Sequence, residues 1–414
     1  MKMFQFAVIA VACSLVACGG GGNSGVVKAN VTSVKVTGAS LADSGTFGFK
    51  FTVQSTSGTP YQVYTERVAA TYGLDLCRHY MSANGGASYT TNSNCYNYAV
   101  AGSAINFGVM VDTNSDTVKD TFVTAASVPT NQLYQLSQLG AQGFSAGDLL
   151  VVGEGSANDT ATLITAYLTD VQTAGTLNTT VFKQVITSLM ADSGTTAGAG
   201  VLATDGGAAA GVAYMTRLAQ TLVASVNTNA LANGATRVVV INTLDVTRTP
   251  KLEAVLASLS TPQATQLRAL FRAWINAYNA ALNAAVVPYA DKVVVVDLYT
   301  NFNAELDDLA QYGLTNKTST VCFQTFSAAG GTKTTSPTTP YAGTIGLGDT
   351  DVTPFSVPSR CTDSYASSIT PTETATGADW WKTYLFADNF HPTPYGHQLL
   401  ARLVAKRLTE AGWL

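Results

Sequence analysis

Val34-Lys35-Val36-Thr37-Gly38-Ala39-Ser40-Leu41-Ala42-Asp43-Ser44-Gly45 is the stretch on which the reading of this 414-residue chain turns. Val34 and Val36 alternate with polar residues, the period of a β-strand whose side chains point to opposite faces in turn. Gly38 and Ala39 then let the backbone turn tightly, glycine because it reaches conformations closed to other residues. A strand followed by such a turn leaves Ser40 at the strand's carboxyl end with its hydroxyl exposed. Taken alone, the run from Gly38 to Gly45 fits a polar turn after an edge strand equally well, because Gly, Ser and Asp are ordinary turn residues. A second stretch far downstream, Asp388-Asn389-Phe390-His391-Pro392, shifts the balance.

Asp388 and His391 are three residues apart, so one turn of chain can bring the carboxylate to the imidazole. That is the orienting pair of a serine hydrolase: a neutral imidazole takes the serine proton, and the carboxylate fixes its tautomer and stabilises the imidazolium that forms. The chain has 3 histidines. His79 lies in a cysteine-containing region, and the periodicity puts His397 on the polar side of the final helix. His391 is the one at a strand-to-helix junction.

The runs Asp148–Val152, Arg237–Asn242 and Lys292–Asp297 are apolar with strand length. Strands apolar on both faces belong in a parallel sheet covered by helices. Between the last two, Thr261 is an expected N-cap with Pro262 at the first helical position. Leu267, Leu270, Phe271, Trp274, Ile275, Tyr278 and Leu282 then share one face. Thr393 and Pro394 open a final helix in the same way. Tyr61–Tyr72 and Leu133–Leu139 read as further helices, and Cys95 to Ser103 as a short strand followed by a turn. Alternating strands and helices predict one α/β domain over 31–414. Two segments exceed a minimal domain: 170–213, with an amphipathic helix that is either a lid or a covering helix, and the Thr/Ser/Gly/Pro-rich 313–379. Loops of that length are usually functional or poorly ordered.

With 46% hydrophobic but only 12% charged residues and a net charge of -4, the chain can bury a large core and has no basic stripe to follow phosphates. Nucleic acid is therefore excluded as a partner. Residues 1–17 read as an export signal: Lys2, an apolar run from Phe4 to Ala17, then Leu15-Val16-Ala17-Cys18. This run is short for a membrane span. Leu-Val-Ala-Cys resembles the bacterial lipobox, which implies acylation of Cys18 as the mature N-terminus. The glycine-rich run after it, within 18–30, would serve as a flexible tether. Gly19 after the cysteine resembles sorting to the outer membrane.

Setting aside Cys13 and Cys18 leaves Cys77, Cys95, Cys322 and Cys361, an even number in a chain read as exported, so two disulfides are expected. Three pairings can be drawn. Cys77 with Cys95 and Cys322 with Cys361 are favoured, because each pair lies within one loop-rich region. Neither region has metal-ligand spacing, so no metal site and no organic cofactor are expected.

Four separated blocks resemble, in order, those of the GDSL or SGNH serine esterases and lipases. They are Gly38–Gly45, Asn97-Tyr-Ala-Val-Ala-Gly-Ser103, Ser156-Ala-Asn-Asp159 and Asp388–Pro392. The resemblance runs from about Val34 to the C-terminus and implies a flavodoxin-like, three-layer α/β/α fold. It makes Ser40 the nucleophile and Asp388 and His391 its partners. The Ser40 and Gly102 backbone N–H groups and the Asn158 side chain become donors to an oxyanion. It also implies ester or lipid substrates, with transfer of the acyl group to an alcohol compatible with the same site. Two positions depart from the pattern: Ala39 stands where the family usually has Asp, and Ser156 where it usually has Gly. Ala39 is the best argument for a rival reading, a non-catalytic surface-binding lipoprotein on the same fold.

Gly143-Phe-Ser-Ala-Gly147 matches the G-x-S-x-G nucleophile elbow, but that motif needs a strand before it and a helix after it, the reverse of the order here. Trp380, Trp381, Tyr384, Phe386 and Phe390 precede or flank His391. They offer an apolar wall for an acyl chain, with about half of them expected to be core packing instead.

Overall fold

The alternating strand before Ser40 and the three apolar runs make one parallel sheet. In the computed structural model the described residues are 30–112, 121–173, 181–190, 207–322, 324–326, 333–335, 361–368 and 377–414. The strands Ser33–Thr37, Asp148–Val152, Val238–Ile241 and Val293–Val296 lie side by side in that order. Their registers place Ser33 opposite Asp148 and Thr37 opposite Val152. The second and third strands are buried along their whole length, each Val or Leu contributing about 1.5–3 kcal/mol by leaving water.

The strand expected in Cys95–Ser103 is reduced to Asn97, which bridges in parallel to Val36 on the outer side of the first strand and to Arg78 on its own far side. There the Val36 N–H donates to the Tyr96 carbonyl and the Tyr98 N–H donates to the Val36 carbonyl, both at 2.9 Å. The Val100 N–H still reaches the Gly38 carbonyl (3.2 Å), but the Gly38 N–H that would complete the next step of the ladder goes to the Gln135 side chain instead (2.8 Å).

Right-handed crossovers then assign the layers. Tyr64–Ala70, which connects the first strand to the bridge beside it, goes to one face, where it packs on the final helix Pro394–Glu410. The helices Gln132–Gln142, Ala208–Asn229 and Thr261–Val286 connect strands in the opposite lateral direction, so they cover the other face and pack on one another. The result is a three-layer α/β/α, flavodoxin-like fold. Both proline-led helices form, with one shift: Ser260 rather than Thr261 is the N-cap of Thr261–Val286. Thr393 caps the last helix, its side chain accepting the Gly396 N–H.

A second, smaller core stands beside the sheet and gathers Val53, Val321, Cys361, Ala366, Trp380, Trp381, Tyr384 and Ala387. It includes the Cys322–Cys361 disulfide; the other bridge joins Cys77 to Cys95. The strand Asn316–Thr320 pairs in parallel with Tyr384–Phe386. Of the 170–213 segment, the helix Val181–Met190 is described, and it packs its buried Val181, Phe182, Val185 and Ile186 into the main core. It is a covering helix along this length. Among the described residues no helix is long and apolar enough to cross a membrane.

Candidate active site

Ser40, Asn158 and the Asp388–His391 segment all follow the carboxyl ends of strands, where ligands bind in open α/β sheets. Ser40 follows Thr37, and a close approach shapes its turn. A side chain at Gly38 would put its Cβ 3.2 Å from Gly153 Cα and 3.1 Å from Ala42 Cβ. Two buried polar side chains, a carboxylate and an amide, tie the first block to its neighbours. Asp43 accepts the Gly45 and Thr46 N–H groups (2.8 and 2.7 Å) and, with its other oxygen, the Ala101 N–H (2.9 Å). Asn97 donates to the Ala42 carbonyl and the Ser44 hydroxyl, both at 2.7 Å.

At the other end of the chain, Asp388 bends the backbone around its own side chain. Its Oδ1 accepts the Phe390 N–H (2.9 Å) and the His391 N–H (2.7 Å), while the Ala387 N–H donates to the His391 carbonyl (2.8 Å). The imidazole is thereby turned so that Nδ1 faces both carboxylate oxygens, at 2.9 and 2.7 Å. A ring nitrogen against a carboxylate carries the proton, so Nε2 has a free lone pair. Nε2 accepts the Ser40 hydroxyl at 2.7 Å. Burial raises the Asp388 carboxyl, but the charge and hydrogen bond of His391 and the two backbone donors overcome it and hold the group below the usual carboxylate range. The ring of Phe51 covers the imidazole, with centroids 4.8 Å apart.

The third element is a pair of loops. Gly102 has φ +82°, a left-handed conformation that favours glycine. Asn158 lies in the first turn of the helix Gly155–Thr173 and donates through Nδ2 to the Ser103 carbonyl (2.8 Å), leaving one amide hydrogen for another acceptor. Asp159 accepts the Ile105 and Asn106 N–H groups (2.7 and 2.8 Å). The loop bearing Gly102 is thus held by Asp43 at one end and Asp159 at the other. Burial pushes these carboxyls up to about 6 and about 7, against the pull of their backbone donors. Among the described residues neither the Ser40 nor the Gly102 N–H donates to another protein group.

Other sequence candidates lie elsewhere. Ser145 stands before the strand Asp148–Val152, at the opposite end of the sheet from Ser40, its N–H donating to Asp148. His79 is stacked on Tyr98 and donates from Nδ1 to the Asn92 carbonyl (2.8 Å), as a core histidine does. His397 is not on a polar face: it is fully buried, its Nδ1 accepts the Tyr64 N–H, and burial lowers it to about 3. The first turn of the final helix enters the core against Tyr64, which helical periodicity alone does not reveal. Trp380, Trp381 and Tyr384 build the second core, Phe386 the main one, and Phe390 is only partly buried. Cys18 and the export signal lie outside the described residues.

Sequence reasoning passed over Phe51, Gln135 and Glu154, and gave Asp43 and Asp159 no role although both stand inside quoted blocks. Gln135 is buried; it accepts the Gly38 N–H (2.8 Å) and donates to the Ser103 hydroxyl (2.8 Å), joining the Ser40 turn to the Gly102 loop. Two glutamines, Gln132 and Gln135, on the same face of the helix as Leu136 and Leu139 were the available signal.

None of the curated proteins matches the sequence. The family described as GDSL-like Lipase/Acylhydrolase matches residues 36–404, from the strand that delivers Ser40 to the helix behind His391. That span takes in nearly all of the sheet, both cores and every group of the site, and the chain belongs to the GDSL-like lipase/acylhydrolase family.

Proposed function

We propose that the protein hydrolyses carboxylic esters through an acyl-enzyme on Ser40. The observation that carries this reading is the hydrogen-bonded chain from Ser40 through His391 to Asp388. As Ser40 Oγ attacks the ester carbonyl carbon, its proton passes to His391 Nε2. The imidazolium is stabilised by the ionised Asp388 against Nδ1. Negative charge grows on the carbonyl oxygen, and the Ser40 and Gly102 N–H groups with the Asn158 amide are the donors assigned to it. The proton returns from Nε2 to the departing alkoxide. Water, activated by the same nitrogen, then releases the acid and restores Ser40. An alcohol in place of water would give acyl transfer by the same steps.

Family membership supports an ester or lipid substrate. Phe51 on the imidazole and the partly exposed Phe390 favour an apolar acyl group beside the base. The Leu-Val-Ala-Cys18 sequence supports a lipid anchor on the cell envelope of a bacterium, with mass spectrometry of the mature N-terminus as its test. For the reaction itself, turnover of a short p-nitrophenyl ester should be blocked by a serine-directed organophosphate and lost in Ser40→Ala. Absence of turnover in well-folded wild-type protein would favour the binding lipoprotein instead.

A further inference from the structure

Two side chains from outside grip the turn that carries Ser40. On its amino side, Gln135 accepts the Gly38 N–H and donates to the Gly38 carbonyl (2.8 and 3.2 Å). On its carboxyl side, the Leu41 N–H donates to Glu154 Oε1 (2.9 Å), and the Tyr64 hydroxyl donates to Oε2 (3.2 Å). Glu154 is 2% exposed and immediately precedes the helix Gly155–Thr173. Burial raises its carboxyl, while the Leu41 and Tyr64 donors pull it back. The hydrolysis steps above do not use this group, and burying a carboxylate is costly without a return.

The return lies in the peptide it holds. The Ser40 carbonyl and the Leu41 N–H belong to one planar unit, so fixing that N–H fixes ψ of Ser40. On the other side, the Ala39 carbonyl accepts the Ala42 N–H (3.1 Å), but the Ala39 side chain has no polar atom to add to the turn.

We propose that Glu154 is a positioning residue for the nucleophile. Its carboxylate locks the Ser40–Leu41 peptide, and so sets Ser40 Oγ toward His391 Nε2 and the Ser40 N–H toward the ester oxygen. It also occupies the Leu41 N–H, so that this donor does not compete for the carbonyl oxygen. In this chain, side-chain restraint that cannot come from position 39 comes from the residue just before the third-block helix.

The inference rests on the ester-hydrolase reading, so its readout is the rate at which a fluorophosphonate labels Ser40, relative to wild type. Glu154→Ala should label on the order of 10- to 100-fold more slowly, as expected for a misplaced reacting atom. Its kcat should fall in step, with KM little changed. Glu154→Gln keeps an oxygen for the Leu41 N–H and an amide for Tyr64, and should restore most of the rate. Glu154→Asp keeps the charge but is one methylene too short, and should be slow. This Gln-against-Asp comparison decides the matter even where the Ala variant does not fold. A folded Glu154→Ala or Glu154→Asp that labels at the wild-type rate, or a Gln variant as slow as the Ala one, overturns the proposal. Wild-type Ser40 that takes no label would instead overturn the hydrolase reading, and this inference with it.

Discussion

Asp388→Asn exchanges one oxygen for an amide and leaves the volume unchanged, and the geometry dictates which way that amide faces. Oδ1 of Asp388 accepts two backbone N–H groups, from Phe390 and His391, at 2.9 and 2.7 Å. If the new oxygen keeps that position, the NH2 replaces Oδ2, which stands 2.7 Å from His391 Nδ1. Two donors then meet unless the imidazole moves its proton to Nε2, where it can no longer accept from Ser40. If the amide flips, the oxygen faces Nδ1 and the ring keeps its useful tautomer, but the NH2 confronts both backbone donors. Leaving two partly buried N–H groups without an acceptor costs about 1–3 kcal/mol each, or roughly 2–6 kcal/mol together. The inactive arrangement is therefore favoured by roughly 30- to 10⁴-fold. Loss of the charge that stabilises the imidazolium pushes the effect to the upper end, so kcat should fall on the order of 10³- to 10⁴-fold with KM nearly unchanged. Steady-state kinetics on a p-nitrophenyl ester, with a melting curve on the same preparation, makes the measurement. A folded variant with near-normal kcat would refute the reasoning and require another acid. Asp379 would then be tested first, although it is largely exposed and paired with Lys382 at 2.8 Å.

Asn158→Ala should lower kcat by roughly 10²- to 10³-fold with little change in KM, whereas a side chain that only braces the Ser103 carbonyl would lower the melting temperature and spare kcat. Replacing Cys322 and Cys361 by Ser should reduce kcat more than the same change at Cys77 and Cys95. The Cys322 N–H donates to the Ala387 carbonyl, next to Asp388, and the Cys361 carbonyl accepts from Gln54 in the segment that carries Phe51; equal effects of the two pairs on kcat would contradict this. Phe51→Ala should cost a few-fold in kcat, from loss of a ring contact worth about 0.5–1.5 kcal/mol against the imidazole. Asp159 has its carboxyl raised in the folded state, to about 7, so the folded protein holds that proton more tightly than the unfolded chain. Its contribution to stability is complete below the unfolded value, about 3.9, and is lost as pH rises through the folded one. The melting temperature of wild type relative to Asp159→Ala should therefore fall as pH rises through about 7; a difference that grows would show the opposite shift.

The parts of this molecule that were legible in advance are those written locally. Asp148–Val152 and Val238–Ile241 announce themselves as buried strands because every residue in them is apolar or at a strand end. Thr393-Pro394 announces a helix start because cap and proline are adjacent. Asp388 and His391 meet because three residues of separation suffice for one carboxylate to accept both the backbone and the ring. What stayed hidden depends on distant partners. Gln135 reaches Gly38 across 97 residues and Glu154 reaches Leu41 across 113, and neither residue's own neighbourhood names its target. Phe51 looked like one more apolar residue in a loop, and only the fold brings it to His391. The strand expected at Cys95–Ser103 was cut short for the same reason: the Gly38 N–H that would extend the ladder goes to distant Gln135. His397 was misplaced because helical periodicity assigns faces along a helix but not how deeply its first turn is sunk.

The central claim is that Ser40, driven by His391, is the group that attacks the ester. Its most direct test is to treat the intact folded protein with a fluorophosphonate and map the adduct by peptide mass spectrometry. The account predicts a single stoichiometric adduct on Ser40, formed with loss of esterase turnover, absent in Ser40→Ala and formed far more slowly in His391→Ala. An adduct on Ser145 or any other serine, or turnover that survives complete labelling of Ser40, would contradict it.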